Sequence, residues 1–109
     1  MVEASCHCGA VRMEIDTPPR ELNDCTCSIC RRLGALWTYY SPRQVKISGA
    51  TNIYIWGERV IEFHSCKICA CTTHWSPVDK GYDRMGVNAR MMPPEIVAAA
   101  RITRTTGPE

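Results

Sequence analysis

Eight cysteines fall into three tight clusters along this 109-residue chain: Cys6-His7-Cys8, Cys25 to Cys30, and Cys66 to Cys71. Cys-x-Cys and Cys-x-x-Cys spacings suit chelation of one ion by neighbouring thiolates better than they suit a spread disulfide framework. Met1 to Ser5 runs into polar and cysteine residues with no apolar h-region, so a cytoplasmic, thiol-reducing setting is expected. Zinc takes four thiolates in closed structural sites and three in sites that keep a position for chemistry. Thiols grouped as two, three and three can therefore build two metal sites. Their division decides between scaffold and enzyme.

Length makes a single domain over residues 1–109 the expectation, with a thin core that gains from metal staples. Basic and acidic residues number 13 and 11 and are interspersed, which argues against a nucleic-acid partner. The densest basic element is Arg31-Arg32. No apolar run approaches the length of a membrane span. A soluble domain follows as the expectation.

Val11 to Asp16 alternates apolar and polar residues strictly, predicting a half-buried strand broken at Thr17-Pro18-Pro19-Arg20. The second cysteine cluster then falls on a turn or loop, with Arg31 to Gly34 a helical turn closed by glycine. Ala35 to Tyr40, Val45 to Gly49, Ile53 to Gly57, Val60 to His64, Thr72 to Trp75 and Met85 to Met92 read as short strands. Pro93-Pro94 opens a short C-terminal helix over Glu95 to Ala100. Arg101 to Arg104 reads as a last strand before a polar tail from Thr105 to Glu109. Many short strands with one C-terminal helix make an all-β domain.

On an extended segment, side chains two apart share a face. Cys6 with Cys8, Cys25 with Cys27, and Cys69 with Cys71 can each present paired sulfurs. The first cluster holds only two thiols and must borrow two from far along the chain, closing a long loop. Spacing leaves open which two.

Three blocks, Ser5 to Val11, Cys25 to Ala35 and Phe63 to Trp75, with Gly86 to Arg90 behind them, resemble the glutathione-dependent formaldehyde-activating (GFA) family. That family includes the catalytic domain of centromere protein V. The resemblance implies a small zinc-stapled β-tent fold of short antiparallel strands with two zinc ions per chain. It matches Cys6, Cys8, Cys66 and Cys69 to a structural zinc site, and Cys25, Cys27 and Cys30 to a catalytic one. It implies a carbon–sulfur lyase acting on a small thiol–aldehyde adduct resembling S-hydroxymethylglutathione, with a thiol such as glutathione as its small-molecule partner. Ala70 departs from the glycine usual in the family after the knuckle's second cysteine, and predicts a slightly different turn.

A thiol coordinated by such an ion is deprotonated at neutral pH, and its sulfur can add to an aldehyde carbon or leave a hemithioacetal. Arg31 and Arg32 are candidates for offsetting the site's negative charge or binding a substrate carboxylate, against the reading that they are solvated. His64 and His74 read as packed, hydrogen-bonded residues rather than ligands, and His7 as pointing away from its cysteine neighbours. Cys71 is a spare thiol, either buried or a fourth ligand beside Cys25, Cys27 and Cys30. Of Trp37, Tyr39, Tyr40, Tyr54, Trp56 and Trp75, most are assigned to the core and the rest to a cleft. The competing functions are a non-catalytic zinc scaffold with both sites closed, a nucleic-acid-binding zinc module, and an iron–sulfur protein. The oligomeric state stays open, a homodimer included.

Overall fold

The computed structural model describes residues 1–105. Beyond Thr105, the expected polar tail lies outside the described residues. Ten strands form two sheets. The smaller has the order β1-β2-β5, from Val2–Ser5, Arg12–Ile15 and Val45–Ser48. The larger has the order β10-β3-β4-β9-β8-β7-β6. In chain order its members are β3 (Glu21–Cys25), β4 (Trp37–Tyr40), β6 (Thr51–Tyr54), β7 (Ile61–Cys66), β8 (Thr72–Pro77), β9 (Met85–Asn88) and β10 (Arg101–Thr105).

The main core lies between the two sheets. Met13 and Ile15 of β2, Leu22 of β3, Tyr40 of β4 and Val87 of β9 meet there, with Met85, Ala89 and Met92. Burying each large apolar side chain stabilises the fold by about 1.5–3 kcal/mol. Period-2 alternation sends the next residues to the other face of the large sheet. Trp37 of β4, Phe63 of β7 and Trp75 of β8 gather there with Cys27, Cys30 and Ala35 in a second cluster. One sheet thus carries the core on one face and an aromatic wall on the other.

Two helices of six residues complete the fold among the described residues, the first starting earlier than the helical turn expected at Arg31 to Gly34. Helix α1 (Ser28–Leu33) follows β3, and α2 (Pro94–Ala99) packs Ile96 and Val97 on the main core. Gly34 ends α1 in the left-handed region at φ 67°, its N–H donating to the Cys30 carbonyl. The Arg90 guanidinium donates to the Gly34 carbonyl at 2.6 Å, tying this end of α1 to the turn after β9.

Three further expectations change. The second cysteine cluster is not loop throughout: Cys25 ends β3, Cys27 is the N-cap of α1 and Cys30 lies inside it. Strand pairing is not wholly antiparallel either, because β10 runs parallel to β3, Thr105 lying opposite Cys25. The expected strand over Met85 to Met92 stops at Asn88 and continues as a 3-10 turn over Ala89–Met91. Among the described residues, no helix is long and apolar enough to cross a membrane.

Candidate functional site

All eight cysteines carry free thiols, and seven of them gather in two groups. Cys6 and Cys8 sit in the turn between β1 and β2, Cys66 ends β7, and Cys69 lies in the turn from β7 to β8. Their sulfurs all lie within 4.8 Å of one another. The Cys6–Cys8 and Cys8–Cys66 separations are 3.7 and 3.6 Å. Those lengths match the edge of a tetrahedron with zinc–sulfur arms of 2.3 Å, about 3.8 Å. Backbone N–H groups of Val11 and Ile68 each donate to a sulfur at 3.3 Å, to Cys6 and Cys66 respectively.

The thiols of this group oppose one another's ionisation. The N–H groups of Cys71 and Cys8 draw Cys69 down to about 5. The Ala10 N–H pulls Cys8 down, yet burial and the neighbouring thiols of Cys66, Cys6 and Cys69 push it up to about 11. Four sulfurs this close resist ionising together, and a divalent cation resolves that conflict. The donor set fits a closed metal site.

The paired cysteines do not share faces of extended strands as expected. Cys6 to Cys8 and Cys69 to Cys71 lie on turns. At the knuckle the Ala70 N–H donates to the Cys66 carbonyl and the Cys66 N–H to the Cys71 carbonyl, both at 3.0 Å. Ala70 holds φ 67°. Alanine thus occupies the left-handed conformation that glycine enters without steric cost.

The second group comprises Cys25, Cys27 and Cys30, their sulfurs again within 4.8 Å of one another. Helix α1 creates it, because an N-cap side chain faces back over the first turn. The Cys27 sulfur accepts from the Cys30 N–H at 3.5 Å. The Trp37 indole N–H donates to the Cys30 sulfur at 3.3 Å. Burial pushes the Cys30 thiol up, while the Trp37 indole N–H acts against that. Burial also opposes ionisation of Cys27, but the Cys30 N–H, the thiols of Cys30 and Cys25 and the Ile29 N–H outweigh it and hold that thiol down. N–H donors aimed at clustered sulfurs favour thiolates. The three thiols therefore also fit a metal ion, with one protein donor fewer.

A cleft of about 370 Å³ opens over this second group. Trp37, Tyr39, Trp56, Phe63 and Trp75 wall it, and Glu58 contributes to its lining. The assignment of most aromatics to the core is thus corrected: Trp37, Tyr39, Trp56 and Trp75 line the cleft, Tyr40 joins the core and Tyr54 is exposed. Trp37 and Trp75 do both, being 2% and 8% exposed.

The wall depends on one small residue. Tyr39, Gly86 and Trp75 are direct cross-strand neighbours on β4, β9 and β8. A Cβ on Gly86 would collide with the Trp75 indole, so glycine lets that ring lie over the strand toward Tyr39. The Tyr39 and Trp75 ring centroids are 6.2 Å apart.

Other candidates fall away from the cleft. Arg31 and Arg32 are exposed, and Arg32 donates to the Ser28 carbonyl of its own helix at 2.8 Å. They are solvated residues of the last turn of α1. The arginine beside the cleft is Arg84, whose guanidinium lies 4.3 Å from the Tyr39 ring centroid. No motif announces it. His64 and His74 stack at 4.1 Å on the opposite face of the sheet. His64 bonds Thr51 and Ser76 at 2.8 and 2.7 Å, and His74 bonds Thr73 at 2.8 Å. His7 is exposed. Cys71 packs with Cys6, Val11 and Cys66, so it neighbours the first group and not the second.

The family model for "Glutathione-dependent formaldehyde-activating enzyme" matches residues 1–101. A protein of Halomonas elongata named "Putative glutathione-dependent formaldehyde-activating enzyme" is 54% identical over 33 residues, which cover 29% of this chain. The match spans only 21% of that relative's length. A crystal structure of a Rhodobacter sphaeroides protein superposes with a TM-score of 0.74 at 27% identity. It covers 93% of this chain and 99% of the other.

Proposed function

The chain belongs to the glutathione-dependent formaldehyde-activating enzyme family, and we propose that it is a zinc-dependent carbon–sulfur lyase whose substrate is a small thiol–aldehyde adduct such as S-hydroxymethylglutathione. One observation carries this reading: Cys25, Cys27 and Cys30 converge beneath an aromatic cleft, three donors where the other group has four. Zinc held by these thiolates would deprotonate an incoming thiol and polarise the aldehyde, the chemistry that a three-thiolate set leaves room for.

The reaction balances without redox change. In the direction of addition, the thiol sulfur bonds the carbonyl carbon, the carbon–oxygen π bond breaks, and the thiol proton ends on the oxygen. Cleavage is the reverse.

The chain's own residues supply the surroundings. Trp37 holds the Cys30 sulfur through its indole N–H and thereby orients one donor of the set. Trp56, Phe63 and Trp75 form apolar walls that exclude water from a polarised carbon–oxygen bond. A cleft of about 370 Å³ suits a small adduct. The four-thiol group serves architecture, because Cys8 and Cys66 are 58 residues apart and join the turns of different sheets. The closed-scaffold reading requires a fourth cysteine at the second group, and the place of Cys71 beside the first speaks against it.

Metal analysis with cobalt substitution tests the proposal. Two ions per chain are expected, and added glutathione should change the d–d spectrum of one of them. Formaldehyde release from S-hydroxymethylglutathione should accompany this change. Two spectra insensitive to thiol, without turnover, would leave only the scaffold.

A further inference from the structure

Tyr39 is a polar group of the cleft wall whose bonding pattern leaves a proton to give. Its hydroxyl oxygen accepts from the Asn23 side-chain amide at 2.6 Å. On its other side, the carbonyl oxygen of that amide accepts from the Thr105 hydroxyl of β10 at 2.7 Å. With its oxygen so engaged, the carboxamide presents its NH2 to Tyr39. A phenol has one proton to donate. Among the described residues, nothing accepts it.

The group shares its cleft with the second cysteine group. Tyr39 lines the same cleft as Cys25, Cys27 and Cys30, two residues along β4 from Trp37 and on the same face. Asn23 lies two residues before Cys25 on β3, so one short segment places both the thiol and the phenol's partner. The Arg84 guanidinium over the ring draws electron density from the phenol and makes it a better donor.

We propose that the Tyr39 hydroxyl donates the hydrogen bond that holds the oxygen of the thiol–aldehyde adduct, making Tyr39 a catalytic residue and Asn23 its positioning residue. This rests on the lyase reading of the cleft. On carbon–sulfur cleavage the adduct hydroxyl becomes the carbonyl oxygen. On addition, negative charge grows on that oxygen, where a preorganised donor acts most strongly. Thr105 gives the C-terminal strand a share in the site, through the parallel pairing of β10 with β3.

The test uses the metal-loaded protein and two probes: S-hydroxymethylglutathione and S-methylglutathione, which lacks the oxygen. Three tryptophans of the cleft report binding by fluorescence. Wild type should favour the hydroxymethyl probe by about tenfold, the worth of one hydrogen bond. Tyr39→Phe keeps the ring and its Arg84 contact, and should bind both probes alike. Its kcat should fall by about 100-fold while metal content stays at the wild-type level. Asn23→Asp offers Tyr39 an acceptor in place of a donor, draws the phenol proton away and should reproduce the loss. If Tyr39→Phe keeps both the preference and the turnover within twofold, the Tyr39 assignment is wrong. A wild type that binds neither probe and turns over nothing removes the adduct reading itself.

Discussion

Ala70 shows how much one residue can reveal about a cysteine knuckle. It sits at φ 67° between Cys69 and Cys71, where alanine carries a steric cost of about 1–2 kcal/mol. Glycine removes that cost and returns part of it as unfolded-chain entropy. Ala70→Gly should therefore raise stability by about 0.5–1 kcal/mol, a Tm increase of about 3–6 °C by calorimetry. An unchanged or lower Tm would mean that the turn is not strained. The sequence marks the position as unusual but does not show its left-handed turn. The hydrogen bonds from the Ala70 and Cys66 N–H groups enforce it. His74 supports a second prediction. Burial, with His64 nearby, holds its pKa down to about 3, against 6.5 for a free imidazole. The unfolded chain therefore binds the extra proton first, and stability falls as pH drops from 6.5 toward 3, by at most about 1.4 kcal/mol per pH unit. Urea titrations between pH 7 and 5 should show this slope, and His74→Gln should flatten it. Equal slopes for the two proteins would remove His74 as the cause.

At the scale of elements, the row Tyr39–Gly86–Trp75 makes the cleft a product of strand register. Gly86→Ala should push the Trp75 indole out of the wall at an overpacking cost of about 1–3 kcal/mol. A lower Tm with a red-shifted tryptophan emission would report it, and an unaltered emission maximum would show that the ring has room. Arg12 to Ile15 was legible because it alternates exposed, buried, exposed, buried, and most other strands because β-branched and aromatic runs stand between glycine and proline breaks. Strand β3 was not. Glu21, Asn23 and Asp24 are poor strand formers, and Leu22 alone marks the core side, so pairing with β10 and β4 makes it a strand. Helix α1 was read one turn short because its cap is a cysteine, a residue seldom taken as a helix start. The cysteine groups were readable from spacing and family likeness. Tyr39, Asn23 and Arg84 were not, since they come together only across strands.

Across the whole molecule the two cysteine groups have different placements, and their loss should differ accordingly. Cys30→Ser should forfeit one of two metal ions and lower Tm by a few degrees. Cys66→Ser, at the group shared by both sheets, should abolish cooperative melting. Equivalent melting curves for the two variants would refute this division. The cleft face belongs to the larger sheet, α1 and the loop from β6 to β7, whereas the four-sulfur group bridges turns of both sheets. Chelation should accordingly act like drawing a hinge pin. Each panel would keep its own backbone ladder for a time, and the first amides to exchange with deuterium would be those along the seam around Cys6 to Val11, well before the β4–β9 pair that backs the cleft.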